Sequence, residues 1–295
     1  MKKYKFKGFI NGALASISYG TNPLFALPMY KLGMETGSIL FYRYLFAAII
    51  YGLCLKIFKK ISLKLNLREF LCIAVMALLF ALSSITLFES FKYLYSGIAC
   101  TILFVYPIIV ALISTVFFKE KLSKTSIFAM FVAISGIFLL NGEISGHLSS
   151  KGVLLALCSA LLYAFYIILV KNLEPVKHVK YEKLTFYVML FAIVVFALNL
   201  DFCTKLQLID SWQIFVCTLG LAIFPTIISI ETINIAIRLI GPTTTSILGA
   251  LEPLTAIFFG ILFFNESLTL NNIIGIALII AGVVLIILRD RFVKK

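Results

Sequence analysis

The chain has 295 residues, of which 62% are hydrophobic and 13% are charged, and its mean hydropathy is +1.08. Soluble domains are typically about 45–50% apolar and about 25% charged, so these values exclude an ordinary soluble fold. The formal net charge of +13 would indicate a nucleic-acid partner in a soluble protein. Here the placement of the charges instead indicates membrane topology, and we expect no nucleic-acid partner.

Ten apolar runs follow one another along the chain, each near the ~20 residues that a helix needs to cross a bilayer. The first begins as a signal peptide does, but it is long enough to span, and we interpret it as an uncleaved helix. We therefore expect an all-α integral membrane protein with ten transmembrane helices. The runs cover residues 7–30, 36–58, 70–91, 96–118, 124–141, 152–171, 184–200, 212–238, 241–264 and 270–288.

The lysines and arginines of the linkers indicate the orientation, because cytoplasmic loops carry an excess of both. With a cytoplasmic N-terminus, 21 of the 26 basic residues fall on the cytoplasmic side. Four fall outside, and Arg43 lies within the second run. One missed helix would destroy this asymmetry, so we expect both termini in the cytoplasm and a multi-pass protein of a bacterial cytoplasmic membrane.

An internal repeat appears when the chain is shifted by 146 residues. Nine positions then match within a stretch of 45, namely Pro107 with Pro253, Phe117 with Phe263, Phe118 with Phe264, Glu120 with Glu266, Leu122 with Leu268, Ile127 with Ile273, Ile134 with Ile280, Gly136 with Gly282 and Leu139 with Leu285. A shift of 144 pairs Gly8 with Gly152 and Tyr19 with Tyr163. The chain is therefore predicted to be two five-helix repeats, residues 1–145 and 146–295.

An odd number of helices in each repeat requires the second copy to lie upside down in the membrane. The linkers agree, because "FFKEKLSK" after the fourth run holds three lysines, whereas its counterpart "FFNESLTL" after the ninth run holds none. Inverted repeats around a site at the middle of the membrane are the architecture of many secondary transporters.

The chain resembles the EamA family of the drug/metabolite transporter superfamily over nearly its whole length. The first copy contains "FYRYLFAA", "FESFKYLYSGIACTILFVYPIIVALISTVFFKEKLS" and "SGIFLL". The second contains "GPTTTSILGALEPLTAIFFGILFFNESLT" and "AGVVLI". The shared proline and the Glu-x-Leu-Ser/Thr corner thirteen residues later are the most specific parts. One departure is that relatives often carry Trp near the centres of the first and sixth helices, where this chain has Tyr19 and Tyr163.

The resemblance implies a central cavity between the two halves and transport of small organic metabolites. It further implies that the substrates are amino acids or related compounds and that the direction is export. A secondary transporter working by alternating access is the leading hypothesis, and a flippase of lipid-linked substrates is an alternative. An intramembrane enzyme or a non-transporting sensor is a weaker one.

Glu252 is the first candidate for a substrate or proton contact, because a charge within the membrane costs roughly 2.5–3.5 kcal/mol on insertion scales. Its helical face, with Gly249 and Thr255, is small and polar. The alternative is a carboxyl group bonded to a neighbouring helix. Under the repeat, Glu252 corresponds to Tyr106, so each copy places a polar residue directly before its mid-run proline.

Pro107 and Pro253 cannot donate a backbone hydrogen bond, so we expect a kink or hinge at each. Glu231 either faces the cytoplasmic half of the path or pairs with Arg238 or another helix. Arg43 and Glu89 lie at similar depth and are interpreted as structural charges, which either pair with each other and so lower the cost of burying both or make separate interface bonds.

Tyr19, Asn22 and Tyr163 fall near the middle of their runs and are candidates to line the cavity, or else make ordinary interhelical hydrogen bonds. The stretch "YGTNPLFALP" indicates an irregular first helix. Glu120 and Glu266 end the fourth and ninth runs and are interpreted as structural corner residues.

No catalytic, metal-binding or cofactor motif is recognisable. The six cysteines form no CxxC or Cys/His cluster, and no HExxH, GxSxG or P-loop is present. We therefore expect no enzyme, metal or cofactor. The expected partners are a small-molecule substrate, membrane lipid and protons as a coupling ion.

Overall fold

The structure is a computed structural model that describes residues 2–90, 92–94, 96–120, 122–140, 149–264 and 269–292, and within these ranges all regular structure is helical. Two of the helices in the first half are short, because breaks interrupt their apolar runs. The helices of the first half are α1 (Lys2–Tyr19), α2 (Asn22–Lys31), α3 (Thr36–Ile57), α4 (Leu67–Ser90), α5 (Ser96–Leu103), α6 (Tyr106–Phe118) and α7 (Lys124–Leu140).

The second half repeats this order with one extra short helix in a linker. Its helices are α8 (Ser150–Asn172), α9 (Glu174–Lys177), α10 (Tyr181–Asn199), α11 (Trp212–Ala222), α12 (Ser229–Ile240), α13 (Pro242–Leu248), α14 (Leu251–Phe264) and α15 (Leu270–Phe292). A π-helical segment, Ile223–Ile228, joins α11 to α12. Among the described residues, seven helical segments are long and apolar enough to cross a membrane, so this is a multi-pass integral membrane protein.

Breaks and irregular turns lie within four of the apolar runs, and all four lie beside a proline, since the break between α1 and α2 precedes Pro23. The chain leaves the α-helix at Phe104–Val105, just before Pro107, and at Gly249–Ala250, just before Pro253. The π-helical segment contains Pro225. Proline lacks an N–H donor but fits the first turn of a helix, so a run ends before it and restarts around it.

The helices of the two repeats pack against each other in equivalent pairs. The first helix of one repeat lies against the third of the other, so that α1 packs on α12 and α8 packs on α4. The fifth helices, α7 and α15, pack on each other and form the most extensive contact. The two repeats are therefore interlocked and share one core.

Glycines allow the close approach of α7 and α15. A Cβ atom placed on Gly136 would lie 2.7 Å from the carbonyl oxygen of Gly275, and one placed on Gly282 would lie 2.8 Å from that of Ala129. Gly275 follows Ala129 by 146 residues, so these two contacts are the same contact made twice. Small residues at helix crossings provide van der Waals packing that replaces the hydrophobic driving force absent from lipid.

Polar aromatic and charged side chains lie at the centre of the bundle, and large apolar side chains cover the outside. Arg43, Tyr106 and Tyr166 are among the largest fully buried side chains, whereas Phe128 and Phe131 of α7 are more than half exposed. Lipid covers such apolar surfaces in a membrane protein, so polarity in the interior points to the functional region.

Candidate functional site

A small cavity lies at the centre of the bundle, where both repeats contribute helices. Its volume is about 10 Å³, which is the space of a single water molecule. No metabolite fits such a space, so transport through it requires the helices to move. The lining residues come from α1, α4, α5, α8 and α14 and are Tyr19, Phe80, Ser83, Ser84, Leu87, Leu103, Tyr163 and Glu252.

Glu252 brings the only carboxyl group to this cavity. It occupies the first turn of α14 and is half-buried, and its side chain makes no hydrogen bond or ion pair with another described residue. The α1 backbone packs directly on it, because a Cβ atom placed on Gly20 would lie 2.4 Å from the Glu252 carbonyl oxygen. A helix N-terminus favours a carboxylate, but no described cation neutralises this one.

Tyrosines surround the cavity and seal one side of it. The Tyr106 ring lies edge-on to Tyr163, with centroids 4.9 Å apart, and its hydroxyl donates to the Ser246 carbonyl oxygen at 3.2 Å. Gly249 makes room for this contact, since a Cβ atom there would lie 1.9 Å from the Tyr106 hydroxyl. Tyr106 therefore packs directly against the backbone at the end of α13.

A series of buried hydrogen bonds continues from the tyrosines toward the end of the bundle that carries Lys59. Tyr166 donates its hydroxyl to Asn234 Oδ1 at 2.9 Å, and Asn234 Nδ2 donates to Thr185 Oγ1 at 3.1 Å. All three side chains are buried. These bonds join α8, α12 and α10 within the second repeat.

Arg43 is buried beside the cavity and fastens two irregular segments together. Its Nη1 donates to Asn22 Oδ1 at 2.8 Å, next to the break between α1 and α2. Its Nε donates to Thr226 Oγ1 at 2.6 Å and its Nη2 to the Pro225 carbonyl oxygen at 2.9 Å, both in the π-helical segment. The guanidinium carbon also lies 5.8 Å from the centre of the Tyr19 ring.

Of the two alternatives for Arg43 and Glu89, the structure shows separate bonds and not a pair. Glu89 instead forms an ion pair with Lys92 at 2.6 Å near the end of α4, while Arg43 binds neutral acceptors. The π-helical segment explains the difference, because its irregular backbone and Thr226 hydroxyl offer Arg43 acceptors that a regular helix would not.

Glu231 lies away from the cavity, at the end of the bundle that carries Lys59. Its carboxylate pairs with Lys59 at 2.8 Å, and the side chains are 19% and 42% exposed. Arg238 does not pair with it and instead donates to the carbonyl oxygens of Val176 and Val179. Because Lys59 belongs to the first repeat and Glu231 to the second, the pair joins the two repeats at this end.

Glu120 also connects the two repeats. Its Oε2 accepts a hydrogen bond of 3.2 Å from the Thr243 hydroxyl at the start of α13. The corresponding Glu266 lies outside the described residues. Within the described part of the chain, no group of three His, Cys, Asp or Glu side chains could hold a metal ion.

The structure therefore divides the candidates from the sequence into groups. Tyr19, Tyr163 and Glu252 line one cavity, and Tyr106 packs against its wall. Asn22 accepts a hydrogen bond from Arg43, and Glu231 forms an ion pair with Lys59. Sequence reasoning placed the third predicted helix, which is α4, at the cavity but named none of its lining residues, although the adjacent hydroxyls of Ser83 and Ser84 in an apolar run were a usable signal. It also missed the segment that holds Arg43, although its proline was visible.

The chain matches the model of the EamA-like transporter family twice, over residues 6–142 and 150–288. It therefore belongs to this family of membrane transporters and contains two copies of its repeat.

Named relatives and a solved structure agree with this assignment. The chain is 25% identical to an uncharacterized transporter of Archaeoglobus fulgidus over 92% of this chain and 93% of the relative. It is also 25% identical to the uncharacterized transporter YxxF of Bacillus subtilis over 98% of this chain and 92% of the relative. A crystal structure of a protein shares the fold with a TM-score of 0.81 at 16% identity, covering 98% of this chain and 99% of that one.

Proposed function

We propose that the protein is a secondary transporter that moves a small organic metabolite across the membrane by alternating access around the central cavity. The observation that carries the proposal is Glu252, a carboxyl group without a described partner in a cavity between the two repeats. Broken helices at such a midplane site are the usual construction of secondary transporters. The cavity holds about one water molecule, so the helices around it must separate to admit a substrate.

The substrates in this proposal are amino acids or related compounds, and the direction is export. The cavity supports a substrate with an apolar or aromatic part and a cationic group. Tyr19, Phe80 and Tyr163 would pack against the former, and the Glu252 carboxylate would attract the latter. Protons are the proposed coupling ion, because a carboxyl group at this depth can exchange a proton as the cavity opens and closes.

The proposed topology has ten helices in two inverted repeats, residues 1–145 and 146–295, with both termini in the cytoplasm. It is supported by the basic linkers on one side and by the equivalent packing of α1 on α12 and of α8 on α4. In this orientation the Lys59 end of the bundle is cytoplasmic. The proposed location is the cytoplasmic membrane of a bacterium.

A metabolite panel tests the proposal. Efflux and uptake of amino acids and related compounds would be measured in cells expressing the chain and, for any compound that responds, in proteoliposomes at several pH values. Glu252→Gln is expected to lower the flux severalfold and to remove its pH dependence. The matched control is Glu69→Gln, because Glu69 is a half-buried carboxylate at the start of α4 that does not line the cavity and that caps the first turn with Asn66.

Two outcomes count against the proposal. No flux of any compound above empty cells would oppose transport of this substrate class. If Glu252→Gln and Glu231→Gln both left flux and its pH dependence unchanged, proton coupling through these carboxyl groups would be wrong.

A second candidate function, flipping of a lipid-linked substrate, is favoured by one feature. An apolar groove of about 330 Å³ runs along α1 and α14 on the outside of the bundle, next to the Glu252 turn. An acyl chain could lie there while a headgroup enters the cavity. Its lining residues are Ile17, Leu251, Leu254, Thr255, Phe258 and Phe259. The test is movement of a fluorescent lipid between the leaflets of proteoliposomes. This function would be favoured if the Phe258→Trp variant lost lipid movement but kept normal transport of metabolites.

A further inference from the structure

Tyr106 and Glu252 occupy equivalent positions in the two repeats, because each directly precedes the proline shared at an offset of 146 residues. The same offset relates Ser246 to Cys100 and Gly249 to Leu103. The hydrogen bond from Tyr106 to the Ser246 carbonyl oxygen therefore has a counterpart that the shorter Glu252 side chain could make with the Cys100 carbonyl oxygen, whereas Leu103 stands in place of the glycine that makes room for Tyr106.

Contacts away from the centre obey the repeat. The glycine contacts between α7 and α15 occur in both copies. A Cβ atom on Gly8 would meet Leu239 and Ile240, and one on Gly152 would meet Tyr93 and Leu94, which precede them by 146 residues. The two repeats are thus related by symmetry in their packing at the periphery.

The central contact is made in one copy only. The Tyr106 hydroxyl donates to the Ser246 carbonyl oxygen and lies against Gly249. The counterpart is open, because Glu252 and Leu103 line the cavity and the Glu252 carboxyl makes no described hydrogen bond. In an inverted-repeat protein, a difference of this kind marks which end of the bundle is closed. Here it is the Lys59 end.

The chemistry of the two side chains differs in one respect that decides whether the open contact can form. A tyrosine hydroxyl carries a proton and can donate it to a carbonyl oxygen, whereas an ionised carboxylate is only an acceptor. Placing ionised Glu252 against the Cys100 carbonyl oxygen would oppose two acceptors and bury an unpaired charge. Protonated Glu252 carries an O–H that can donate to the same oxygen.

We infer that protonation of Glu252 permits the bundle to close over the cavity at the end opposite Lys59, through a hydrogen bond from its carboxyl O–H to the Cys100 carbonyl oxygen. A proton from water forms the O–H bond before closure and returns to water when that contact opens again. The inference rests on the proposed function, since alternating access would exchange the Tyr106 contact for this one. One proton then accompanies each closure.

Several titratable groups face Glu252 from the surrounding helices. They are Tyr19 of α1, Cys100 of α5, Tyr106 of α6 and Tyr163 of α8, and Arg43 lies behind Tyr19. Helices α2 and α15 also pack on α14; the titratable residues of α2 are Tyr30 and Lys31 at its end, and residues 270–288 of α15 contain none. Tyrosine, cysteine and arginine ordinarily lose their protons well above the range of a carboxyl group, so Glu252 is the group among them that takes up a proton on acidification.

Cysteine accessibility tests the inference without a substrate. Ser84→Cys, on the cavity wall, would be placed in a full-length chain whose six native cysteines are changed to serine. The protein would be labelled in proteoliposomes with a membrane-impermeant maleimide. Each rate would be divided by that of Thr204→Cys, on the exposed loop at the end opposite Lys59, to cancel the effect of pH on thiol chemistry.

The expected rate ratio falls severalfold between pH 8 and pH 5.5 when Glu252 is present. Glu252→Gln should give a low ratio at both pH values, because its amide can donate to the Cys100 carbonyl oxygen. Glu252→Ala should give a high ratio at both, because it has no donor. The inference is overturned if the rate ratio of the protein with Glu252 does not change with pH. It is also overturned if the ratio of the Glu252→Gln variant changes with pH as in the protein with Glu252, or stays high as in the Glu252→Ala variant.

Hydrogen exchange on the chain with its native cysteines provides a second measurement if the cysteine-free protein does not fold. At pH 8, Glu252→Gln is expected to protect residues 96–103 more than Glu252 does, and equal protection contradicts the inference. Neither readout requires flux. A protein that transports metabolites without Glu252-dependent closure refutes this inference alone, whereas closure without flux of any panel compound refutes the proposed function alone.

Discussion

The interface of α7 with α15 and the centre of the bundle are made of different kinds of residue. The interface is made twice from the same parts, with glycines against backbone carbonyl oxygens. The centre is made once, from tyrosines, an arginine and a glutamate whose partners differ between the repeats. Symmetric, close-packed contacts hold one arrangement, whereas asymmetric polar contacts can be exchanged. Stability and motion are therefore assigned to different parts of the molecule.

The largest expected effect comes from breaking the symmetric interface. Gly136→Leu and Gly282→Leu would each force a side chain against a carbonyl oxygen, and each is expected to lower the free energy of unfolding by about 1–3 kcal/mol. Thermal unfolding of the purified protein in detergent measures this. Ile280→Leu is the control, because Ile280 is 48% exposed on the outside of α15. Equal stability of the Gly136→Leu and control variants would show that the interface is not tightly packed.

Removal of Arg43 is expected to destabilise the centre. Arg43→Met leaves the Thr226, Asn22 and Pro225 acceptors without their donor, at a cost of about 1–3 kcal/mol. Arg43→Lys should recover only part of this, since one ammonium cannot reproduce three donors in a planar fork. The measurement is again thermal unfolding, with Arg68→Met at the exposed start of α4 as control. A stable Met variant would mean that the irregular segments do not depend on Arg43.

A smaller effect on stability is expected at the α4–α8 contact. The repeat allows this contact to be compared with the equivalent contact of α1 with α12. Ser83 and Ser159 exchange hydrogen bonds between these helices, with Ser159 Oγ donating to the Ser83 carbonyl oxygen at 2.7 Å. Ser159→Ala is expected to cost about 0.6 kcal/mol, the mean for such bonds in a membrane protein. In the α1–α12 contact the residue equivalent to Ser159 is Ala15, so Ala15→Ser is expected to change stability less. The reverse order would contradict the comparison.

The smallest effect on stability is expected at the Lys59–Glu231 pair. Partial burial acts to lower the pKa of Lys59, but the hydrogen bond and charge of Glu231 outweigh it and the pKa is raised. The pair therefore contributes at neutral pH and is lost as the pH rises through the pKa of Lys59. Because Lys59 is 42% exposed, a double-mutant cycle with Lys59→Met and Glu231→Gln is expected to give less than about 1 kcal/mol.

Substitutions of the Lys59–Glu231 pair are expected to change the conformation of the protein more than its stability. Either single substitution is expected to increase labelling of a cysteine at Thr185 from the Lys59 end, and the exchange Lys59→Glu with Glu231→Lys should restore protection. Unchanged labelling in both single variants would show that the pair does not hold this end closed.

Much of the architecture was predictable because the membrane restricts it. Spanning segments must be apolar and helical, so composition and run length indicated the all-helical fold. The matched Pro107 and Pro253 pointed to the positions of two breaks, and the repeat led to the family. The breaks lie directly before both prolines in the structure, while their role as hinges stays a prediction.

The contacts of individual polar side chains were less predictable. Depth along a helix suggested that Arg43 and Glu89 could meet, but depth does not give the direction in which a side chain points. The π-helical segment also changes the face that α12 presents, so a regular helical pattern does not describe the residues beyond it. For Glu231 the sequence left open whether it faces the path or pairs with Arg238 or another helix, and in the structure it pairs with Lys59 of the linker after α3.

The loop at the opposite end of the bundle has a practical consequence. Gln207 donates through its Nε2 to the Gly33 carbonyl oxygen at 3.0 Å, and its backbone N–H donates to Ser38 Oγ at 3.0 Å. The two loop segments that meet there come from different repeats and form one surface together. An antibody fragment that recognises both at once would bind only when the repeats keep this relative position. In the proposed orientation, such a fragment would act from outside the cell, where it would report the relative position of the repeats and hold them in it.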